Sequence, residues 1–393
     1  MITTVKEDVV THDEYAEIRR LAAQVASEVY GPLAEQMDVD RTPISQEQRR
    51  QLGELGFLGI AHPEEYGGSG APLAQALAVV EEFGKVCRPA AFQVFEANTG
   101  PAQVVNHLGT PEQKERWLPA IISGEKTMAV GISEPDAGSA ATDMRTTAKV
   151  TGATVVINGN KRWISNGGEA DQYVVYCRLS DAPGAKGIGA VVVDKGTPGF
   201  SFGAGERLMG FRGIPSADLY FDNVEVPVEN IVVPAGGFGK LFGVFSIERM
   251  GNTTMSLAIG QAALDKTLKY VQEREQFGKP LIEFQSIQVM VADMVLQVEA
   301  ARLLRDEAAA SVDAQGMPDP LKVSLAKCTA NEMGKRVTDL AMQIHGGNGY
   351  TEEYGLERLH RDAHGWAIAG GTPAMQRIRI VSEVLGRKFD QRR

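Results

Sequence analysis

Four polar, glycine-bearing segments are the places in this 393-residue chain where chemistry is most legible. Ile132-Ser-Glu-Pro-Asp-Ala-Gly-Ser139 reads either as a turn or as backbone N–H groups and hydroxyls offered to a planar cofactor or a phosphate-bearing ligand. Trp163-Ile-Ser165 sets a large aromatic beside a hydroxyl, which suits core packing and equally suits one wall of an aromatic ring system. Arg274-Glu-Gln-Phe-Gly-Lys-Pro-Leu, followed by Phe284-Gln285, interrupts two helical stretches. An arginine there is favoured by the helix macrodipole and is also the side chain best shaped for a pyrophosphate. The fourth segment, His345 to Gly349 (HGGNG), resembles an oxyanion-hole sequence but has no nucleophile elbow to serve.

Other constellations fail. No GxxxxGK[ST], strand-to-helix GxGxxG, GxSxG or HExxH occurs. The 6 histidines are scattered and the 3 cysteines (Cys87, Cys177, Cys328) are far apart, so no metal site is expected and the thiols read as buried groups of a reducing compartment. Lys+Arg 40 against Asp+Glu 50 gives a net charge of −10, which opposes nucleic-acid binding. The N-terminal stretch shows no apolar signal-peptide core, and no run approaches the roughly 18 apolar residues of a membrane span. A soluble cytoplasmic protein is the expectation.

The elements that must position these segments change character twice. Residues 1–127 read as helical, with Asp13 opening the pattern, Ile18, Leu21, Val25 and Val29 at helical spacing, and a loop at Tyr66 to Pro72 before an apolar helix from Leu73 to Phe83. Residues 128–237 read as a compact antiparallel β-domain of short β-branched runs, with Asn158-Gly159 predicting a hairpin turn. Residues 238–393 return to helices, where Ile287, Val291, Met294 and Val298 share one face. Helical, β, helical is an α+β multidomain order, unlike the alternation of a Rossmann or barrel enzyme.

Taken together the segments resemble the acyl-CoA dehydrogenase family along essentially the whole chain. Leu52 to Gly70 (LGELGFLGIAHPEEYGGSG), GISEPDAGS, KRWISNGG, REQFGKPLIEFQSIQ, QIHGGNGY, ERLHRDA and GGTPAMQR stand in the family's order and spacing. The resemblance implies a helical N-terminal domain, a middle β-domain and a C-terminal four-helix bundle, assembled as a homotetramer or dimer. It implies FAD, with Ile132, Ser133, Trp163 and Ser165 around the isoalloxazine. Arg274, Phe284 and Gln285 would reach the FAD of a neighbouring subunit, Gln343, Gly346 and Gly347 its adenosine-diphosphate portion, and Thr372 the pyrophosphate. Ser139 would lie along the CoA-bearing chain. The family's AGSD reads Ala137-Gly-Ser-Ala140 here, so one side chain near the thioester is absent.

The family's reaction removes an α-proton by a carboxylate while a β-hydride passes to flavin N5. Most members carry the Glu in an E-G-T segment, and the matching text here is Gly370-Gly371-Thr372. A subset including isovaleryl-CoA dehydrogenase carries it about 26 residues before the motif arginine. Glu248 stands 26 residues before Arg274. By resemblance Glu248 is the base, the Gly370 N–H binds the thioester oxygen, and Arg249 and Gly371 contact substrate. Glu248-Arg249 also reads as an ordinary surface ion pair. Small residues around the base suggest a short, branched or cyclic acyl chain, and Arg88 is a candidate partner for a dicarboxylic one. An electron-transfer flavoprotein is the expected acceptor. The same fold also serves oxidation of carrier-protein-bound acyl groups, enoyl-thioester reduction, desulfination (which an intact base opposes) and, more distantly, DNA association, which the acidic charge and the ending GRKFDQRR disfavour.

Overall fold

A computed structural model describes residues 15–389; residues 1–14, Asp13 among them, and 390–393 lie outside the description. Seven helices come first: α1 (Ala16–Val25), α2 (Ala34–Asp40), α3 (Gln46–Glu54), α4 (Leu73–Val86), α5 (Arg88–Thr99), α6 (Ala102–Leu108) and α7 (Pro111–Ile122). Capping boxes from Ser45 to Gln48 and from Thr110 to Gln113 start α3 and α7. In the first helical stretch Ile18 and Val25 pack against the core, but Leu21 and Val29 stay exposed. Ala22, Ala26 and Tyr30 form the packed stripe, and Ala26–Tyr30 wind as a π-helical turn that follows α1.

The strands of the main sheet are β1 (Met128–Gly131), β2 (Thr147–Thr151), β3 (Thr154–Ser165), β4 (Gln172–Arg178), β5 (Ile188–Asp194), β6 (Phe200–Phe202), β7 (Ser216–Pro227) and β8 (Ile231–Val233). They form one sheet in the order β6-β7-β3-β2-β4-β5-β8, with β1 beside β4. Most pairs are antiparallel, but β1 and β2 each meet β4 in parallel, so the all-antiparallel expectation is corrected. The hairpin expected at Asn158-Gly159 is also corrected. Those residues lie inside β3, at a register shift against β7, and the turn falls earlier, between Thr151 and Thr154. Gly159 is needed for approach: a Cβ there would stand 2.7 Å from Thr146 Cα.

Five α-helices follow among the described residues: α8 (Phe238–Glu273), α9 (Gln285–Ala309), α10 (Pro320–His345), α11 (Leu356–Ile368) and α12 (Pro373–Val384). On α9 Val291, Met294 and Val298 are buried and Ile287 packs beside them, as the helical spacing predicts. One core cluster joins the N-terminal helices, the helix-facing side of the sheet and the C-terminal helices, while a second fills the other side of the sheet. β4 divides its residues between the two: Tyr173, Val175 and Cys177 enter the sheet's own core, and Val174 and Tyr176 face the helices. No helix among the described residues is long and apolar enough to cross a membrane.

Candidate active site

Glu248 and Arg249 are consecutive on α8, the longest helix. Three residues on, Gly251 lets α5 come close: a Cβ would lie 2.2 Å from Thr99 Oγ1 and 2.4 Å from Phe95 Cδ2. This approach sets Glu248 against the start of the α5–α6 connection, where Gly100, Pro101, Val130, Tyr176 and Phe245 join it around a narrow cavity. The side chain keeps some accessible surface because the cavity opens beside it. Its Oε2 is buried and has no hydrogen-bond partner. Arg249 is buried too, which overturns the surface ion-pair reading.

The loop after α11 faces this carboxylate. Gly370 and Gly371 adopt φ of +67° and +92°, a region that L side chains enter only under strain. A Cβ on Gly370 would sit 3.0 Å from Glu248 Oε2 and 3.2 Å from Lys327 Cε. The loop is clamped from two helices. Arg249 Nε donates to Gly370 O at 3.0 Å, and Lys327 Nζ donates to Ala369 O at 2.9 Å and to Asn331 Oδ1 at 2.7 Å. Asn331 Nδ2 in turn donates to Asn252 Oδ1 and Ser256 Oγ, and Asn252 Nδ2 to Trp366 O. Thr372 then caps α12 by accepting from Met375 N.

Burial raises the Glu248 carboxyl to about 7, against the pull of Lys327 and Arg249. Burial also lowers Lys327 to about 7, against the opposing effect of Glu248. Glu248 and Lys327 therefore titrate as a pair, the carboxyl displaced upward and the ammonium downward. Arg249 is lowered to about 10, by burial first and Arg379 second, and stays a cation. A carboxyl near neutrality in a narrow, mostly apolar cavity can accept a proton from a weak carbon acid.

A second group lies on the sheet. Arg162 N donates to Ser133 O at 2.8 Å, which brings Ile132 and Ser133 alongside Trp163. Beneath them the buried Lys161 Nζ donates to Glu134 Oε1 at 2.8 Å and Ile132 O at 3.1 Å, while Glu134 accepts from the N–H groups of Arg145 and Thr146. Trp163 has φ +62° at an irregularity between β3 and β7 and is 53% exposed, with the Arg162 guanidinium 4.4 Å from its ring. A large aromatic held out of the core in a strained conformation is what a stacking platform for a flat ring requires. Ser165 ends the same strand. These residues fit a flavin, whose tricyclic ring would lie on this platform.

The other candidates sit apart from the cavity. Arg274 and Phe284 lie on the α8–α9 connection and Gln285 opens α9; Arg274 is exposed and Phe277 is 94% exposed. Gln343, Gly346 and Gly347 are exposed at the end of α10. Tyr270 links the two groups: its ring stacks on His345 at 4.0 Å and its hydroxyl accepts from Asn348 Nδ2 at 3.0 Å. Ser139 lies on an exposed stretch before β2. Arg88 is the departure. It is buried with its Nε 3.1 Å from Asp362 Oδ2, whose other oxygen accepts from Phe211 N, so it pins α5 to α11 and does not line the cavity. Lys327, Asn331, Asn252, Tyr176 and the Glu134–Lys161 pair escaped the reading of the sequence. A lysine preceding an asparagine by one helical turn was the only available signal for the first two.

Residues 12–125, 129–224 and 235–385 match the families described as Acyl-CoA dehydrogenase, N-terminal domain, middle domain and C-terminal domain. The chain is 38% identical to acryloyl-CoA reductase (NADH) of Anaerotignum propionicum over 94% of both chains. It is 40% identical to cyclohex-1-ene-1-carbonyl-CoA dehydrogenase of Syntrophus aciditrophicus, covering 84% of this chain and 80% of that one. The fold superposes on butyryl-CoA dehydrogenase from Megasphaera elsdenii with a TM-score of 0.90, at 33% identity, covering 98% of this chain and 100% of the other.

Proposed function

We propose that this chain, which belongs to the acyl-CoA dehydrogenase family of oxidoreductases, dehydrogenates a short or cyclic acyl-CoA at Cα and Cβ with Glu248 as the base. One observation carries the assignment of the base. The Glu248 carboxylate, supplied by α8, reaches to 3.0 Å from the point where a side chain at position 370 would begin, and Gly370 leaves that point empty. A carboxylate is thus delivered to the mouth of the α11–α12 loop by another helix.

FAD, when bound, supplies the acceptor for the β-hydride. Trp163, Ser165, Ile132 and Ser133 would hold its ring system, and Thr372 would meet its phosphates. Arg274, Phe284, Gln285, Gln343, Gly346 and Gly347, all away from the cavity, would serve the cofactor of a neighbouring subunit in a homotetramer. Exposed apolar residues on α9, including Leu296 and Leu303, suit such an assembly. An electron-transfer flavoprotein would then receive the electrons.

Glu248 takes the α-proton. Its raised affinity for that proton comes from burial, and Lys327 and Arg249 keep the anion available near neutral pH. The thioester oxygen accepts from the Gly370 N–H, which raises the acidity of the α-carbon. Arg249 fixes the donor by holding Gly370 O at 3.0 Å. Walls of Val104, Val130, Val244 and Phe245 exclude water from the carbon acid. Similarity to an acryloyl-CoA reductase favours a second reading, in which the same groups return a proton to Cα of an enoyl thioester.

The test is anaerobic. The holoenzyme is mixed with linear, branched and cyclic acyl-CoAs and the flavin band is followed. Bleaching by a saturated thioester supports dehydrogenation. Reoxidation of dithionite-reduced enzyme by enoyl-CoAs, with no bleaching by saturated ones, supports the reductive reading. No response to either would refute both.

A further inference from the structure

One buried polar atom of a residue that lines the cavity beside Glu248 has no task in the reaction described above. Tyr176 lies on β4, the strand whose alternate residues face the helices, and its side chain is fully buried. The residue lines the cavity with Val104, Val130, Val244, Phe245 and Glu248. Its hydroxyl has no hydrogen-bond partner within the protein. Leaving a buried hydroxyl unpaired costs about 1–3 kcal/mol, and a phenylalanine would have filled the same space without that cost.

We propose that Tyr176 selects the acyl group: its hydroxyl donates to an uncharged oxygen acceptor, a ketone or ether oxygen, carried at or beyond the γ-carbon of the substrate. This rests on the acyl-CoA reading of the site. The position follows from the reaction, which requires hydrogen on both Cα and Cβ. The donor role follows from the surroundings, since burial and the neighbouring Glu248 both hold the phenol proton in place. The absence of charge follows from the charged groups in and around the cavity. Glu248 and Arg249 on α8, with Lys327 on α10, form an opposed set of their own. Glu96 on α5 stands outside the cavity lining, half-buried, with its carboxyl raised by loss of water first and by Glu248 second. A distal carboxylate would meet the Glu248 carboxyl that lines the cavity, and Arg88 is paired with Asp362 outside the lining. A neutral acceptor meets a waiting donor. A hydrocarbon of the same shape leaves that donor unpaired, and sites built around a polar contact reject such analogues strongly.

The experiment compares 4-oxopentanoyl-CoA with 4-methylpentanoyl-CoA, which differ little in shape, on wild-type holoenzyme and on Tyr176→Phe. Two readouts are taken: kcat/KM with an artificial electron acceptor, and the dissociation constant by calorimetry. The wild type should favour the oxo compound by at least about tenfold in both, the effect of one buried hydrogen bond. In Tyr176→Phe that ratio should collapse to within about twofold. Equal handling of the two thioesters by the wild type, or a preference that survives in the variant, would overturn the proposal while leaving dehydrogenation intact. A shift confined to the flavin spectrum or flavin content, with acyl preference unmoved, would also overturn it. If the wild type neither binds nor oxidises either thioester, although dithionite still reduces its flavin, the acyl-CoA reading itself falls and this inference falls with it.

Discussion

A single methyl group at position 370 should separate the cost of backbone strain from the cost of moving the base. Gly370 has φ +67°, where an L residue is disfavoured by about 1–2 kcal/mol. The added Cβ of Gly370→Ala would also lie 3.0 Å from Glu248 Oε2 and 3.2 Å from Lys327 Cε, so the carboxylate must retreat. Displacing a catalytic group by up to an ångström lowers a rate by roughly 10- to 100-fold. Gly355→Ala is the control. It carries the same kind of φ, +63°, but its Cβ would meet only the end of the Arg358 side chain, at 3.3 Å. Both variants should show a lowered thermal midpoint, and only Gly370→Ala should slow anaerobic flavin reduction. The assay is stopped-flow bleaching by the substrate identified in the acyl-CoA series, with flavin content measured alongside. Equal rates in the two variants would refute the claim that the carboxylate opposite Gly370 is where the proton goes.

Three further outcomes follow from the same geometry. Flavin reduction should rise with pH through about 7 as Glu248 loses its proton, and Lys327→Met, which removes a cation that lowers this value, should move the rise to higher pH; an unmoved pH profile would contradict the pairing. Glu81, buried among Arg19, Arg302 and Arg305, has its carboxyl lowered from 4.5 to about 2, a difference worth about 3 kcal/mol by linkage. That stability is present above pH 4.5 and lost as the pH falls toward 2, so Glu81→Gln should unfold more easily at neutral pH and lose less on acidification, as thermal scans across pH would show. Arg274→Ala should lose FAD on dialysis, and full retention of the yellow cofactor would remove the arginine from the cofactor site.

What the sequence disclosed and what it hid have physical reasons. Glu248 could be proposed from the sequence because a carboxylate missing at Gly370 and one present 26 residues before Arg274 are jointly informative. The helical face of α9 was legible because its period was clean. Lys327, Asn331, Asn252 and Ser256 were not, since polar residues one turn apart on a helix look like a solvated face until a partner helix covers them. Tyr176 was hidden because β4 is buried on both sides, and alternation cannot say which core a residue enters when both are apolar. Arg88 was a candidate partner for a distal carboxylate, and what the sequence could not show is that Asp362, 274 residues on, satisfies it. Asn158-Gly159 carries a hairpin signature, but the glycine serves the close approach of Thr146 within a continuous strand.

The central claim is that Glu248 removes the proton, and Glu248→Gln tests it most directly. The side chain keeps its shape and loses its basicity. Flavin content should stay at the wild-type level, and the rate of anaerobic flavin reduction by the acyl-CoA substrate should fall by roughly 10²–10⁴-fold or more. A variant that still reduces its flavin within about tenfold of the wild-type rate would show that the base lies elsewhere.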